Sequence, residues 1–152
     1  MIIRKRRRIE AKTDYNARKS LLKSEKPRIV FRKTNKYIIC QFVKSREAQD
    51  STIISANSKE LLNYNWPKNL SGSLKSMPAC YLTGFLLGKK ILDKEEKPEA
   101  IFDIGLARNI KKSKQYGFLR GVIDSGVKMN ANQDIFPEEK RLKGANTKLA
   151  ID

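Results

Sequence analysis

The segment RIVFRKTNKYIICQFV, residues 28–43, constrains the fold of this chain more than any other stretch. Two runs rich in β-branched and aromatic residues, RIVFR (28–32) and YIICQFV (37–43), stand on either side of KTNK. Such a pattern predicts two antiparallel strands joined by a tight turn. Side chains on a strand alternate between its faces, so Ile29 and Phe31 share one face while Arg28, Val30 and Arg32 share the other. The first face is predicted to join a core. The second is predicted to carry its arginines outward.

The remaining elements arrange themselves around this hairpin. STIISANS (51–58) predicts a third strand after a polar loop, which completes an antiparallel meander. SKELLNYNW predicts a short helix capped by Ser58. Pro78 can open a helix at its first turn, where its missing N–H is no loss, and the helix runs to about Leu92. AIFDIG (100–105) predicts a buried strand ended by glycine. QYGFLRGVID predicts a helix with Tyr116, Leu119 and Ile123 on one side, stopped by Gly126, and VKM after it a last short strand. Before the hairpin, Thr13 or Asp14 caps a helix running to about Lys23, with Ala17, Leu21 and Leu22 as its apolar side. Strands that alternate with helices in the second half predict an α/β layered fold with a mixed sheet. The organisation expected is a basic arm over residues 1–12, extended or unstructured, one α/β domain over 13–130 and a polar tail over 131–152. A chain of 152 residues suffices for one such domain with a sizeable core.

Charge narrows the function. The formal net charge is +17, from 33 basic and 16 acidic residues. Residues 1–36 hold 14 Lys or Arg against three acids, Glu10, Asp14 and Glu25. Self-repulsion on this scale destabilises a compact state unless a polyanion neutralises it. Residues 4–8 are basic without interruption and cannot pack in a core. The series continues through Lys12, Arg18 and Lys19, then Arg28, Arg32, Lys33 and Lys36, with Tyr15 and Tyr37 interleaved. Arginine and lysine meet phosphates, and tyrosines stack on unpaired bases, so nucleic acid is the partner this pattern favours. An anionic membrane surface, met without selectivity, is the alternative. IEAKTDYNARK after the basic run is too polar for the apolar part of a signal peptide, and CYLTGFLLG is too short to span a bilayer.

Catalysis has little to draw on. The chain has no histidine, the commonest general base. Asp93, Asp103, Asp124 and Asp134 are scattered. Asp103, on a predicted strand, is the one candidate for a metal-dependent nuclease, but it lacks a second carboxylate at suitable spacing and reads better as a structural aspartate. GFLLGKK (84–90) lacks the spacing of a phosphate-binding loop. Its glycines, and those at 117 and 121, lie four apart within predicted helices and read as small faces that let a helix approach the sheet. Cys40 and Cys80 stand in apolar settings and read as small buried hydrophobes. No cofactor, metal or small-molecule substrate is expected.

KRRRIEAKTDY followed by RIVFRKTNKYI resembles the start of a known family, the archaeal form of large-subunit ribosomal protein L eighteen, whose eukaryotic counterpart is called L five. IISANSKEL (53–61), PACYLTGFLLGKK (78–90), FDIGLAR (102–108), IDSG (123–126) and IFPEEKRLKG (135–144) are similar to further motifs of that family, in order. Asn57 departs from it, standing where the family often has histidine. The resemblance implies a three-layer α/β/α sandwich with a mixed sheet. It implies a structural constituent of the cytoplasmic large ribosomal subunit, not an enzyme, that attaches 5S ribosomal RNA in the central protuberance. The partners it implies are 5S ribosomal RNA, the large-subunit ribosomal RNA and neighbouring ribosomal proteins including the L five protein of the 5S particle, with no membrane. Resemblance and charge together select Arg4, Lys5, Arg6, Arg7, Arg8, Lys12, Thr13, Tyr15, Arg18 and Lys19 on the arm and first helix as RNA contacts. On the hairpin they select Arg28, Arg32, Lys33, Thr34, Asn35 and Lys36.

Overall fold

A computed structural model of the chain describes residues 5–67, 72–95 and 98–144. In order these form α1 (Arg6–Ile9), α2 (Tyr15–Lys23), β1 (Arg28–Lys33), β2 (Ile38–Arg46), β3 (Gln49–Asn57), α3 (Met77–Leu92), β4 (Ile101–Asp103), α4 (Lys114–Asp124) and α5 (Glu139–Leu142). The strands make one sheet in the order β3-β2-β1-β4. The β1–β2 and β2–β3 pairs are antiparallel and β1–β4 is parallel, so the sheet is mixed and the fold α/β.

The first hairpin pairs Ile29 with Phe42 and Phe31 with Cys40. Its turn is closed by Thr34, whose N–H donates to the Tyr37 carbonyl at 2.9 Å and whose hydroxyl accepts from the Tyr37 N–H at 3.0 Å. The second hairpin is tighter than the sequence indicates. In place of a polar loop, β2 continues to Arg46 and β3 begins at Gln49. The two turn residues, Glu47 and Ala48, lie in the left-handed region at φ 51° and 63°. Two-residue hairpin turns want that geometry but usually recruit glycine or asparagine for it. Here the flanking pairs Ser45–Asp50 and Arg46–Gln49 impose it.

The core lies on one face of the sheet. Ile29, Phe31, Ile38, Cys40, Phe42, Ile54 and Ala56 meet Cys80, Leu87 and Ile91 of α3 and Phe118 and Val122 of α4, all buried. Each large apolar side chain so buried contributes about 1.5–3 kcal/mol. The α3 and α4 helices also lie against each other, and glycine is the reason. A Cβ on Gly84 would stand 2.2 Å from the Phe118 carbonyl oxygen, and one on Gly121 would stand 2.1 Å from that of Tyr81. The small faces therefore join helix to helix, not helix to sheet as the spacing of the glycines suggests.

Among the described residues, α2 is the helix tied to the opposite face, through Arg18 to Asp50. That helix buries none of its residues, and Ile39 and Ile53 on the sheet remain 37% and 38% exposed. The expected third layer is thus a single tethered helix. Other boundaries also shift. The turn after β3 is a 3-10 helix, Ser58–Asn63, capped by Asn57 and not by Ser58. The Ser58 hydroxyl instead accepts from the Ile38 N–H at 3.0 Å inside the core. VKM forms one isolated parallel bridge, Glu99 to Lys128, not a strand. The arm is a helical turn at Arg6–Ile9, because Glu10 lies 2.7 Å from Arg6 and 2.8 Å from Lys12 and draws the turn closed. The segment expected to be a tail packs back on α4, with Phe136 buried against Tyr116 and Leu119. Residues 145–152, also expected to be tail, lie outside the described residues.

Gly121→Ala is expected to lower the urea midpoint, since inserting atoms into a packed interface costs about 1–3 kcal/mol. Gly72→Ala, where a Cβ would meet nothing within 4 Å, is the control and is expected to leave the midpoint in place.

Candidate nucleic-acid interface

The exposed end of the sheet is organised by Arg28. It lies on the face that the alternation of the strand predicts, opposite the core, yet it is covered there rather than turned out to solvent; the residue is 2% exposed. One guanidinium nitrogen donates to Asp103 Oδ2 on β4 at 3.1 Å. The other donates to Asp50 Oδ1 on β3 at 2.7 Å and to the Ser45 hydroxyl on β2 at 3.0 Å. Three neighbouring strands each bring an oxygen to it, and a buried guanidinium is tolerated when it is paired in this way. Asp103 accepts in addition from the Gly105 N–H at 2.8 Å, and its Oδ1 lies 3.5 Å from Arg32. Gly105 sits at φ +62°, and a Cβ there would stand 2.9 Å from the Arg32 guanidinium. Asp103 is therefore structural, with both oxygens engaged, and the nuclease reading loses its one candidate residue.

Asp50 is shared between the sheet and α2. Its Oδ2 accepts from Arg18 of α2 at 2.9 Å, and Arg18 also reaches the Ala48 carbonyl at 3.4 Å. Burial alone would raise the Asp50 pKa, but the Ser45 hydroxyl and the Arg18 and Arg28 guanidiniums outweigh it and hold the carboxyl below the usual range. Asp14 caps α2 as expected, accepting from the N–H groups of Asn16 at 2.9 Å and Ala17 at 3.1 Å. The elbow before it is fastened by Arg7 Nε donating to the Thr13 hydroxyl at 2.9 Å, and by the Lys5 ammonium 4.7 Å above the Tyr15 ring.

The arm and α2 form one wall of an open cleft, with Arg28 and Arg32 between them and a second wall made by the loop from β4 to α4. Twelve of the lining side chains are Lys or Arg, against two carboxylates, Asp14 and Asp103, both engaged by the bonds just given. Of the residues selected from sequence, Lys5, Arg7, Arg8, Lys12, Thr13, Tyr15, Arg18, Lys19, Arg32 and Lys33 line this cleft. Arg28 borders it but is committed to its three oxygens. Arg6 is held by Glu10. Thr34, Asn35 and Lys36 form the exposed hairpin tip and do not line the cleft. Arg4 lies outside the described residues. Sequence reasoning missed Arg108 and Lys114 on the second wall. The signal was the basic run LARNIKKSK, but only the parallel pairing of β4 with β1 brings it beside the hairpin.

The cysteines take no part in this interface. Cys40 and Cys80 are buried; the Cys40 thiol donates to the Ala56 carbonyl at 3.1 Å, and burial pushes the Cys80 thiol up to about 12. No helix among the described residues is long and apolar enough to cross a membrane.

An α/β body with a cationic cleft and a basic arm held over it is the construction of a polyanion-binding protein. Comparison with known proteins narrows this class. Residues 2–99 match the model of a family described as ribosomal large subunit proteins 60S L5 and 50S L18. The chain is 46% identical over 139 residues to large ribosomal subunit protein uL18 of Korarchaeum cryptofilum, covering 91% of this chain and 69% of that one. It is 46% identical over 141 residues to the protein of the same name from Methanoculleus marisnigri, covering 93% and 78%. The chain belongs to this family of large-subunit ribosomal proteins. It is accordingly a structural constituent of the large ribosomal subunit in the cytoplasm, associated with ribosomal RNA, and not an enzyme.

Arg28→Ala leaves Asp103 buried without its main partner and is expected to destabilise the fold by about 3–5 kcal/mol in denaturant unfolding. Because the folded pKa of Asp50 lies below its ordinary value, the link to Arg18 is complete above the ordinary carboxylate range and is lost as pH falls through the lowered folded value. Asp50→Asn should therefore raise hydrogen exchange of α2 amides at neutral pH, and protection of α2 should no longer fall in step with acid titration.

Proposed function

We propose that this chain binds 5S ribosomal RNA through the cleft and the arm and helps attach it to the large ribosomal RNA in the central protuberance. Neighbouring ribosomal proteins, including the L five protein of the 5S particle, complete that environment. The observation that carries the reading is the cleft itself: cationic on both walls, with Asp103, one of the two carboxylates that line it, paired to Arg28 and the other, Asp14, engaged as the cap of α2. The cleft contacts phosphates by charge. Lys5, Arg7, Arg8, Lys12 and Lys19 are exposed and oppose Arg108 and Lys114 across the gap. Arg32 is positioned between the walls by its bonds to the Phe31 carbonyl at 2.8 Å and the Asp103 carbonyl at 3.2 Å, leaving its side chain 47% exposed.

The two parts of the site differ in stiffness. The rigid sheet presents Arg32 and Lys33 in a fixed frame. The arm leads into α2, which is tied to the body through Arg18 and Asp50, and follows an irregular RNA surface more freely. Phosphates neutralise the arm and release counterions, which makes the affinity strongly salt dependent. The hairpin tip at Thr34, Asn35 and Lys36 lies outside the cleft and serves as a second contact, toward the large RNA.

The test is a titration with 5S ribosomal RNA at physiological salt with excess transfer RNA. A complex that survives the competitor supports the reading, and one stripped away by it defeats it. Deleting residues 1–12 is expected to weaken binding and to flatten the dependence of log affinity on log salt by roughly 0.7 to 0.9 for each phosphate the arm no longer neutralises. Unchanged affinity and slope would exclude the arm from the site.

A further inference from the structure

The loop between β4 and α4 holds two apolar side chains out to solvent. Leu106 is 57% exposed and Ile110 58%, and both line the cleft. Single exposed leucines on a surface need no explanation. This pair differs in being built into a fixed frame. The Gln115 amide donates to the Arg108 carbonyl at 3.0 Å, the Ile110 N–H donates to the same carbonyl at 3.1 Å, and the Tyr116 hydroxyl donates to Asn109 Oδ1. The Lys112 N–H donates to the Ile135 carbonyl at 2.8 Å. A loop anchored from outside at three points, Arg108, Asn109 and Lys112, holds Leu106 and Ile110 where they stand, so an occupant of the cleft meets them without an ordering penalty for the loop.

Charge identifies the occupant. Arg108 on this loop and Lys114 at the start of α4 line this wall of the cleft, and across it stand the cations of the arm. A partner that fits must be anionic and must also offer a flat apolar surface. An unpaired nucleotide has both. A duplex presents phosphates and sugars and keeps the faces of its bases stacked away from side chains. An acidic protein segment offers charge without the repeated flat surface. Resting on the RNA-binding reading of the cleft, we propose that Leu106 and Ile110 pack against unpaired bases and select RNA with open loops, while the arm supplies affinity for any polyanion.

The two contributions separate by salt. Apolar packing on a base releases no counterions, so its removal lowers affinity and leaves the salt slope unchanged. The experiment compares this chain with its double variant Leu106→Ala/Ile110→Ala against four probes: 5S ribosomal RNA, transfer RNA, a single-stranded RNA oligonucleotide and an RNA duplex. Both side chains are exposed, so thermal unfolding of the variant should match the parent chain. The variant is expected to bind 5S RNA and the single strand about tenfold or more weakly, the order of one large apolar side chain no longer buried against a base, with unchanged slope and unchanged duplex binding. Arg7→Ala/Arg8→Ala should do the reverse, weakening all four probes and flattening the slope. Equal weakening on single strand and duplex, or none on either, overturns the inference; in the second case the two side chains face a protein neighbour. If the parent chain does not prefer 5S RNA over transfer RNA, the 5S reading falls, while the single-strand and duplex comparison still decides this one.

Discussion

The Arg28 guanidinium is the point at which the sheet, the arm and the interface meet. It lies on β1 and is held by Asp103 of β4, Ser45 of β2 and Asp50 of β3, so one buried cation fastens all four strands. Burying an isolated charge is prohibitive, and two carboxylates and a hydroxyl offset that here. The same carboxylates have second tasks. Asp50 holds Arg18 and so places α2. Asp103 accepts from Gly105 and aligns Arg32. In a chain of net charge +17, these few acids decide which cations are structural and which stay free for a partner.

Behind this end of the sheet, α3 and α4 form a stiff backing. Their close approach at Gly84 and Gly121 lets both helices reach the same apolar face, with Phe118 packed 5.1 Å, ring to ring, from Phe31. Rigidity there matters for the site. The loop that carries Arg108 runs from β4 into α4, so whatever fixes α4 against α3 also fixes the second wall of the cleft. The first wall is held far more lightly. A cleft with one rigid wall and one adjustable wall suits an irregular, heavily charged ligand such as folded RNA.

Much of this architecture was legible. The hairpin at 28–43, the helices capped at Asp14 and opened near Pro78, and the short strand at Asp103 are all local patterns, and the structure contains each of them. So was the concentration of charge on the arm. The turn at Glu47 and Ala48 was not, because neither residue announces a left-handed conformation. The packing of Phe136 on α4 was not, because IFPEE has no period to read. The second wall was visible only as a basic loop, since its place beside the hairpin depends on strand order.

By itself the sequence determined what is local or countable: the alternation of strands, the helix ends, the spacing of glycines, and the excess of cations at one end of the chain. These depend on neighbours a few residues away or on sums that no fold can alter. Tertiary structure decided which cations serve which purpose. Arg28 and Arg32 share a strand and a face, yet one is buried and the other half exposed. The difference lies in oxygens 22 and 75 residues distant, at Asp50 and Asp103, that only the folded sheet brings to Arg28. A guanidinium goes where its charge is matched, and that match is a property of the assembled strands, not of the strand that carries it.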